Sequence, residues 1–146
     1  MSDFAPSLRA LVFWTGIGQF LLVAGSLLIP KVLGWQEELR RLQPLTRRVF
    51  WTYAGYICGT NFAFAVVSAL RPEALLDASP LAIAVTCFMA VYWCARLVIQ
   101  FACFRGAASP LRPTLRAAEA ILIFAFVWFT SAYGLALWHN LNGTRG

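Results

Sequence analysis

Arg96 stands near the middle of the apolar run Leu81–Phe104, with Tyr92 four residues before it and Gln100 four residues after. Residues spaced by four share one face of a helix, so this run presents a guanidinium, a phenol and an amide along a single line. Such a line can clasp neighbouring helices in register, or bind a phosphate, a carboxylate or a quinone oxygen: a guanidinium carries five N–H donors and keeps its charge at any physiological pH. A charge at that position inside hydrocarbon costs about 2.5–3.5 kcal/mol on insertion scales, so an internal partner or a ligand has to offset it. Other polar groups lie inside apolar runs as well: Gln19 in the first, Tyr53, Tyr56 and Asn61 in the second, Glu119 in the fourth.

The elements that must position these groups follow from the composition. Of 146 residues, 60% are hydrophobic and 12% charged. Four apolar runs, Ala10–Ile29, Val49–Leu70, Leu81–Phe104 and Ala117–Trp138, each reach the roughly 20 residues that a helix needs to cross a bilayer. The short connections between them leave no room for a second domain. The chain therefore reads as one all-α integral membrane domain, residues 1–146, folded as an antiparallel (up-down) four-transmembrane-helix bundle. Between spans 1 and 2, Leu33, Trp35, Leu39 and Leu42 fall on one stripe, with Glu37, Glu38, Arg40 and Arg41 around it. This pattern predicts a short amphipathic interfacial helix ended by Pro44. Ser79 followed by Pro80 predicts a capped start for span 3.

Charge placement sets the orientation. The net charge is +6. Lys31, Arg40, Arg41, Arg47 and Arg48 precede span 2, and Arg105, Arg112 and Arg116 precede span 4, whereas the other side carries Arg9, Arg71 and Arg145. The positive-inside rule places loops 30–48 and 105–116 in the cytoplasm and both termini outside. A basic balance laid out this way is a topology signal, and it argues against nucleic acid as a partner. The lone lysine, the many arginines and the abundant alanine fit a GC-rich bacterial genome, hence a bacterial cytoplasmic (inner) membrane.

Heights along the spans, at about 1.5 Å per residue, group the polar residues into layers. Measured from Arg105, Gln100 lies about 7 Å up, Arg96 about 13 Å and Tyr92 about 19 Å. On the same scale Glu119 and Tyr53 match Gln100, Tyr56 matches Arg96, and Asn61 and Gln19 match Tyr92. One connected interior network of Arg96, Gln100, Tyr92, Glu119, Tyr56, Tyr53, Asn61 and Gln19 is the simplest packing, because hydrocarbon penalises unpartnered polar groups. Side chains on helices lean toward the N-terminus, which separates Arg96 from Glu119 and disfavours a direct ion pair. Gly55-xxx-Gly59 and Ala132-xxx-Ala136 are small-residue pairs that would let helices approach closely within the bundle.

Several chemistries are missing. With His139 as the single histidine, one copy of the chain cannot build a bis-histidine haem or a histidine-based metal site. Four cysteines, Cys58, Cys87, Cys94 and Cys103, fall inside spans without a CxxC pair and read as buried apolar thiols. Asp3, Glu37, Glu38, Glu73 and Asp77 lie outside the spans, so no paired carboxylates face each other within them. No catalytic residue, metal or cofactor is assigned. The expected function is that of an accessory or assembly subunit of a larger membrane complex, with a lipid or quinone held near Arg96. Its partners would be membrane lipids and other membrane subunits or further copies of itself. An enzyme or binding protein for a lipid-like or isoprenoid substrate is the alternative, with Tyr56, Tyr92 or Glu119 as proton donor, and a small transporter ranks third.

Overall fold

The computed structural model describes residues 4–32, 39–104 and 113–143, with side chains placed for 6–28, 39–102 and 117–143. It is all-helical. Four long helices, α1 (Phe4–Val32), α2 (Pro44–Leu70), α3 (Pro80–Phe104) and α4 (Pro113–Gly143), are joined between α2 and α3 by a 3₁₀ turn, Pro72–Leu75. Each contains a stretch long and apolar enough to cross a membrane: Pro6–Leu28, Pro44–Leu70, Pro80–Ala102 and Ala117–Gly143. These contain most of each predicted span and extend α2 and α4 beyond it, because a helix need not stop where its hydrocarbon-matched run stops.

Local chemistry explains the helix starts. Pro44, Pro80 and Pro113 each open a helix, where a missing N–H costs nothing. Pro44 therefore begins α2 and does not end a preceding helix as the sequence suggested. The proposed amphipathic segment falls mostly at residues 33–38, outside the described residues; Leu39 and Arg40 are helical, Leu39 is buried, and the chain turns at Arg41. Ser79 caps α3 as expected, its Oγ accepting the Ala82 N–H at 3.1 Å.

The helices pack unequally. α3 with α4 and α1 with α2 share the most extensive interfaces, and α1 meets α4 over a smaller area; α2 touches α3 where Phe64 meets Phe88 and Tyr92 and Asn61 meets Tyr92. Gly16 marks the closest approach of α1 to α2: a methyl group built there would lie 2.7 Å from the Ala69 backbone N and 3.0 Å from the Ala65 carbonyl oxygen. The core comprises Val12, Phe64, Leu75, Met89, Trp93, Phe126, Phe129, Tyr133 and Ala136. Trp93 lies at its centre, its ring 4.7 Å from Phe129 and 5.6 Å from Phe126.

That core occupies one half of the bundle. In α1 beyond Val23, α2 before Asn61, α3 beyond Trp93 and α4 before Phe126, no described side chain is buried. Even the stripes that continue the core-facing surface, such as Phe50, Ala54 and Cys58 in α2, are only half-buried there. The helices thus form a packed half and an open half.

Candidate functional site

Polar residues divide between these two halves. In the packed half the fully buried Gln19 of α1 donates from Nε2 to the Tyr133 hydroxyl of α4 at 2.8 Å. That hydroxyl lies 2.6 Å from Ser68 Oγ of α2 and has its own hydrogen left to donate to it. Three helices are tied at one phenol oxygen. The second amide atom of Gln19, Oε1, and the indole Nε1 of Trp93 are buried without a hydrogen-bond partner. A second clasp closes the end of the packed half. Asn140 donates from Nδ2 to the Leu75 carbonyl at 2.9 Å and to Thr86 Oγ1 at 3.4 Å, and its Oδ1 accepts the Ala78 N–H at 3.2 Å. Ala78 sits at φ 57°, a left-handed conformation that costs a non-glycine residue about 1–2 kcal/mol, and Asn140 pins it there. Trp128 Nε1 donates to Thr15 Oγ1 at 3.0 Å, adding a link between α4 and α1.

Tyr92 of α3 donates to Asn61 Oδ1 of α2 at 2.8 Å, at the boundary between the halves. One helical turn further on, Arg96 is half-buried. Its guanidinium leans back toward the packed half, 5.7 Å from the centre of the Tyr92 ring and 6.0 Å from that of Phe126 in α4. Both contacts are cation–π attractions, worth about 0.5–2 kcal/mol each depending on how dry the site is. Among the described residues no hydrogen bond or ion pair engages Arg96. Gln100, one turn beyond, and Glu119 of α4 are half-buried in the same open half. The ion pair found among the described residues is elsewhere, Arg9 to Glu73 at 3.5 Å, on the exposed end of the packed half.

The eight residues singled out in the sequence therefore divide. Tyr92 meets Asn61, Arg96 lies against Tyr92, and Gln100 and Glu119 share the open half, while Gln19 joins a separate network. Tyr53 and Tyr56 do not face the interior; they are 66% and 72% exposed. The reason is geometric. At 3.6 residues per turn, Tyr56 lies about 140° around the helix from Asn61 and Tyr53 about 80°, so a buried Asn61 turns both outward. Matched heights set no rotation. Glu119 and Arg96 form no ion pair, in line with their opposite lean. The Gly55-xxx-Gly59 pair also faces outward, with nothing within 4 Å of a methyl group built at either glycine. It lines a shallow groove with Thr52, Tyr56, Thr60 and Ala63. Ala132 and Ala136, by contrast, are buried inside the bundle. Cys87 and Cys94 are exposed free thiols and Cys58 is half-buried, so the expectation of buried thiols fails for the first two.

Tyr133, Ser68, Asn140 and Thr86 were missed by sequence reasoning. Tyr133, Ser68 and Thr86 are weakly polar residues in apolar runs, and none costs enough in hydrocarbon to announce itself as Arg96 does; Asn140 lies just past the run that ends at Trp138. A signal was present for Tyr133: it lies seven residues after Phe126 and four after Phe129, on the apolar stripe that faces the core. No group of three or more metal-ligating side chains exists among the described residues. Comparison with family models, curated proteins and solved structures finds no match to this chain.

Proposed function

We propose that this chain is a non-catalytic accessory or assembly subunit of a bacterial inner-membrane complex, an up-down four-helix bundle with both termini outside and a lipid or quinone held near Arg96. The observation that carries this reading is the open half. In a self-sufficient bundle the core-facing stripe of each helix is buried along its whole length, because helix association in lipid depends on close packing and interhelical hydrogen bonds. Here the stripes run on past Val23, Asn61, Trp93 and Phe126 only half-buried, and a guanidinium lies among them. A second body that fills this half would complete the packing and compensate the charge.

An enzymatic reading needs a proton donor beside Arg96. Tyr56 faces outward, and the Tyr92 hydroxyl donates to Asn61. Glu119 is the candidate that stays available, without a base or nucleophile beside it among the described residues. The geometry favours the non-catalytic role.

Purification in a mild detergent, with a photo-crosslinker placed at Cys58 in the open half, tests the proposal. A partner polypeptide recovered in fixed stoichiometry and crosslinked from position 58 is the expected outcome. A lone, stable monomer without crosslinked partner overturns it.

A further inference from the structure

We infer that the floor of the open half, at Arg96 and Gln100, holds the oxyanion of a singly charged phosphodiester lipid headgroup. This deepens the proposed function and rests on its reading of the chain as a membrane subunit. Three features converge on it.

First, the Arg96 guanidinium lies 5.7 Å from the Tyr92 ring centre and 6.0 Å from that of Phe126, with no carboxylate or hydrogen-bond acceptor engaging it among the described residues. Its edge is the part that matches an oxyanion, through paired N–H donors. A neutral quinone carbonyl would accept one or two of these bonds but leave the net charge uncompensated in hydrocarbon. An anion compensates the charge and uses the donors together. Gln100, half-buried about 6 Å further along the same face, brings an amide donor to the same site.

Second, the site opens toward positive charge. Arg40 and Arg41 just before α2, and Arg47 and Arg48 in its first turns, are all exposed. Juxtamembrane clusters of this kind concentrate anionic headgroups at the surface. The arginines gather the ligand at the mouth, and Arg96 takes it at the floor.

Third, a single cation limits how much negative charge fits. Arg96 is the one guanidinium among the described residues of α3. It neutralises the one charge of a phosphodiester, whereas the second charge of a dianionic phosphomonoester would stay uncompensated in hydrocarbon.

Native mass spectrometry of the full-length chain tests this, with phosphatidylglycerol, phosphatidylcholine of the same acyl chains, or inorganic phosphate added in separate arms. The wild-type chain is expected to retain one phosphatidylglycerol at least tenfold more tightly than phosphatidylcholine. Arg96→Gln is expected to lose that preference, and Arg47→Gln with Arg48→Gln to weaken it two- to threefold. Equal retention of the two lipids, saturable inorganic phosphate that competes phosphatidylglycerol away, or an Arg96→Gln chain that keeps the preference each overturns the inference. If Arg96→Gln fails to fold, Arg96→Lys provides the test: a compact ammonium lacks the planar fork that sets two parallel N–H donors on two phosphate oxygens, so binding should weaken three- to tenfold, and unchanged binding overturns the inference. Partner recovery is scored separately. Loss of lipid preference with a stoichiometric partner retained overturns the lipid assignment alone, and a partnerless monomer that still selects phosphatidylglycerol overturns the subunit reading alone.

Discussion

Tyr133→Phe removes a single oxygen and isolates the contribution of the three-helix clasp. The ring and its packing against the core are kept, so no cavity forms. The substitution takes away the acceptor for Gln19 Nε2 at 2.8 Å and the partner of Ser68 Oγ at 2.6 Å, both with side chains fully buried. Ser68 can turn its hydroxyl to a carbonyl of the preceding helical turn, as Thr15 does with Leu11. Gln19 has no such escape. Its Oε1 is already unpartnered, and the substitution leaves both ends of a buried amide unsatisfied. In a water-soluble interior each such group costs about 1–3 kcal/mol. Hydrogen bonds between membrane helices average nearer 0.6 kcal/mol and reach about 1.7, since the unfolded reference in the bilayer also finds partners. Because both hydrogen bonds to the phenol oxygen disappear and the Gln19 amide is stranded, about 1.5 kcal/mol is expected, near the top of that range. Gln19→Leu removes the stranded amide, so the double variant should be less destabilised than the sum of the singles by about 1 kcal/mol. Reversible unfolding in mixed detergent micelles, followed by far-UV circular dichroism, measures all four corners of this cycle. A Tyr133→Phe effect below about 0.3 kcal/mol, or additivity within that margin, would refute the reasoning and with it the clasp as a source of stability.

Three further predictions follow from the same packing. Gly16→Val should destabilise by about 2 kcal/mol, because its new side chain meets the backbone of α2 at 2.7 Å, whereas Gly55→Val should be neutral in the same unfolding assay. Asn140→Leu removes three hydrogen bonds and leaves the Leu75 carbonyl and Ala78 N–H without them; a loss of about 2 kcal/mol and faster amide exchange across residues 71–79 are expected. Hydrogen bonds from the Ser79 side chain and backbone hold the exposed Asp77 carboxyl below its ordinary pKa. A carboxylate with a lowered folded-state pKa stabilises at pH above its unfolded value and loses that contribution as pH falls through the folded value. The turn before α3 should therefore loosen as pH falls below the ordinary carboxylate range, and Asp77→Asn should abolish that dependence in an amide-exchange titration.

The helical elements were legible because hydrocarbon-length apolar runs admit one backbone solution. An unpaired N–H or C=O is penalised there, so Leu81–Phe104 and its counterparts must be helices whatever their neighbours are. The site was legible only in part. Arg96 announces itself through its charge, and its lean toward Tyr92 follows from the direction every helical side chain takes. Tyr53 and Tyr56 were misplaced because axial height was used and rotation was not, although the rotation relative to Asn61 was readable from spacing. The role of Gly16 could not be separated from that of Gly55, since a glycine shows where helices can approach and not which of them do.

By itself, then, the sequence determined the four long helices, their approximate extent, the cap at Ser79 and the cost attached to Arg96 in hydrocarbon. These are properties of one segment in its solvent, fixed by local periodicity, hydropathy and backbone hydrogen bonding. Only the tertiary structure decided that Gln19, Ser68 and Tyr133 meet at one oxygen, that Asn140 holds the 3₁₀ turn, and that the helices close in one half and stay open around Arg96. Those outcomes depend on how each helix is rotated and on which pair comes closest. Both are set by many small packing interactions between residues far apart in the chain, each about 0.1–0.2 kcal/mol per atom pair, and no single segment carries that sum.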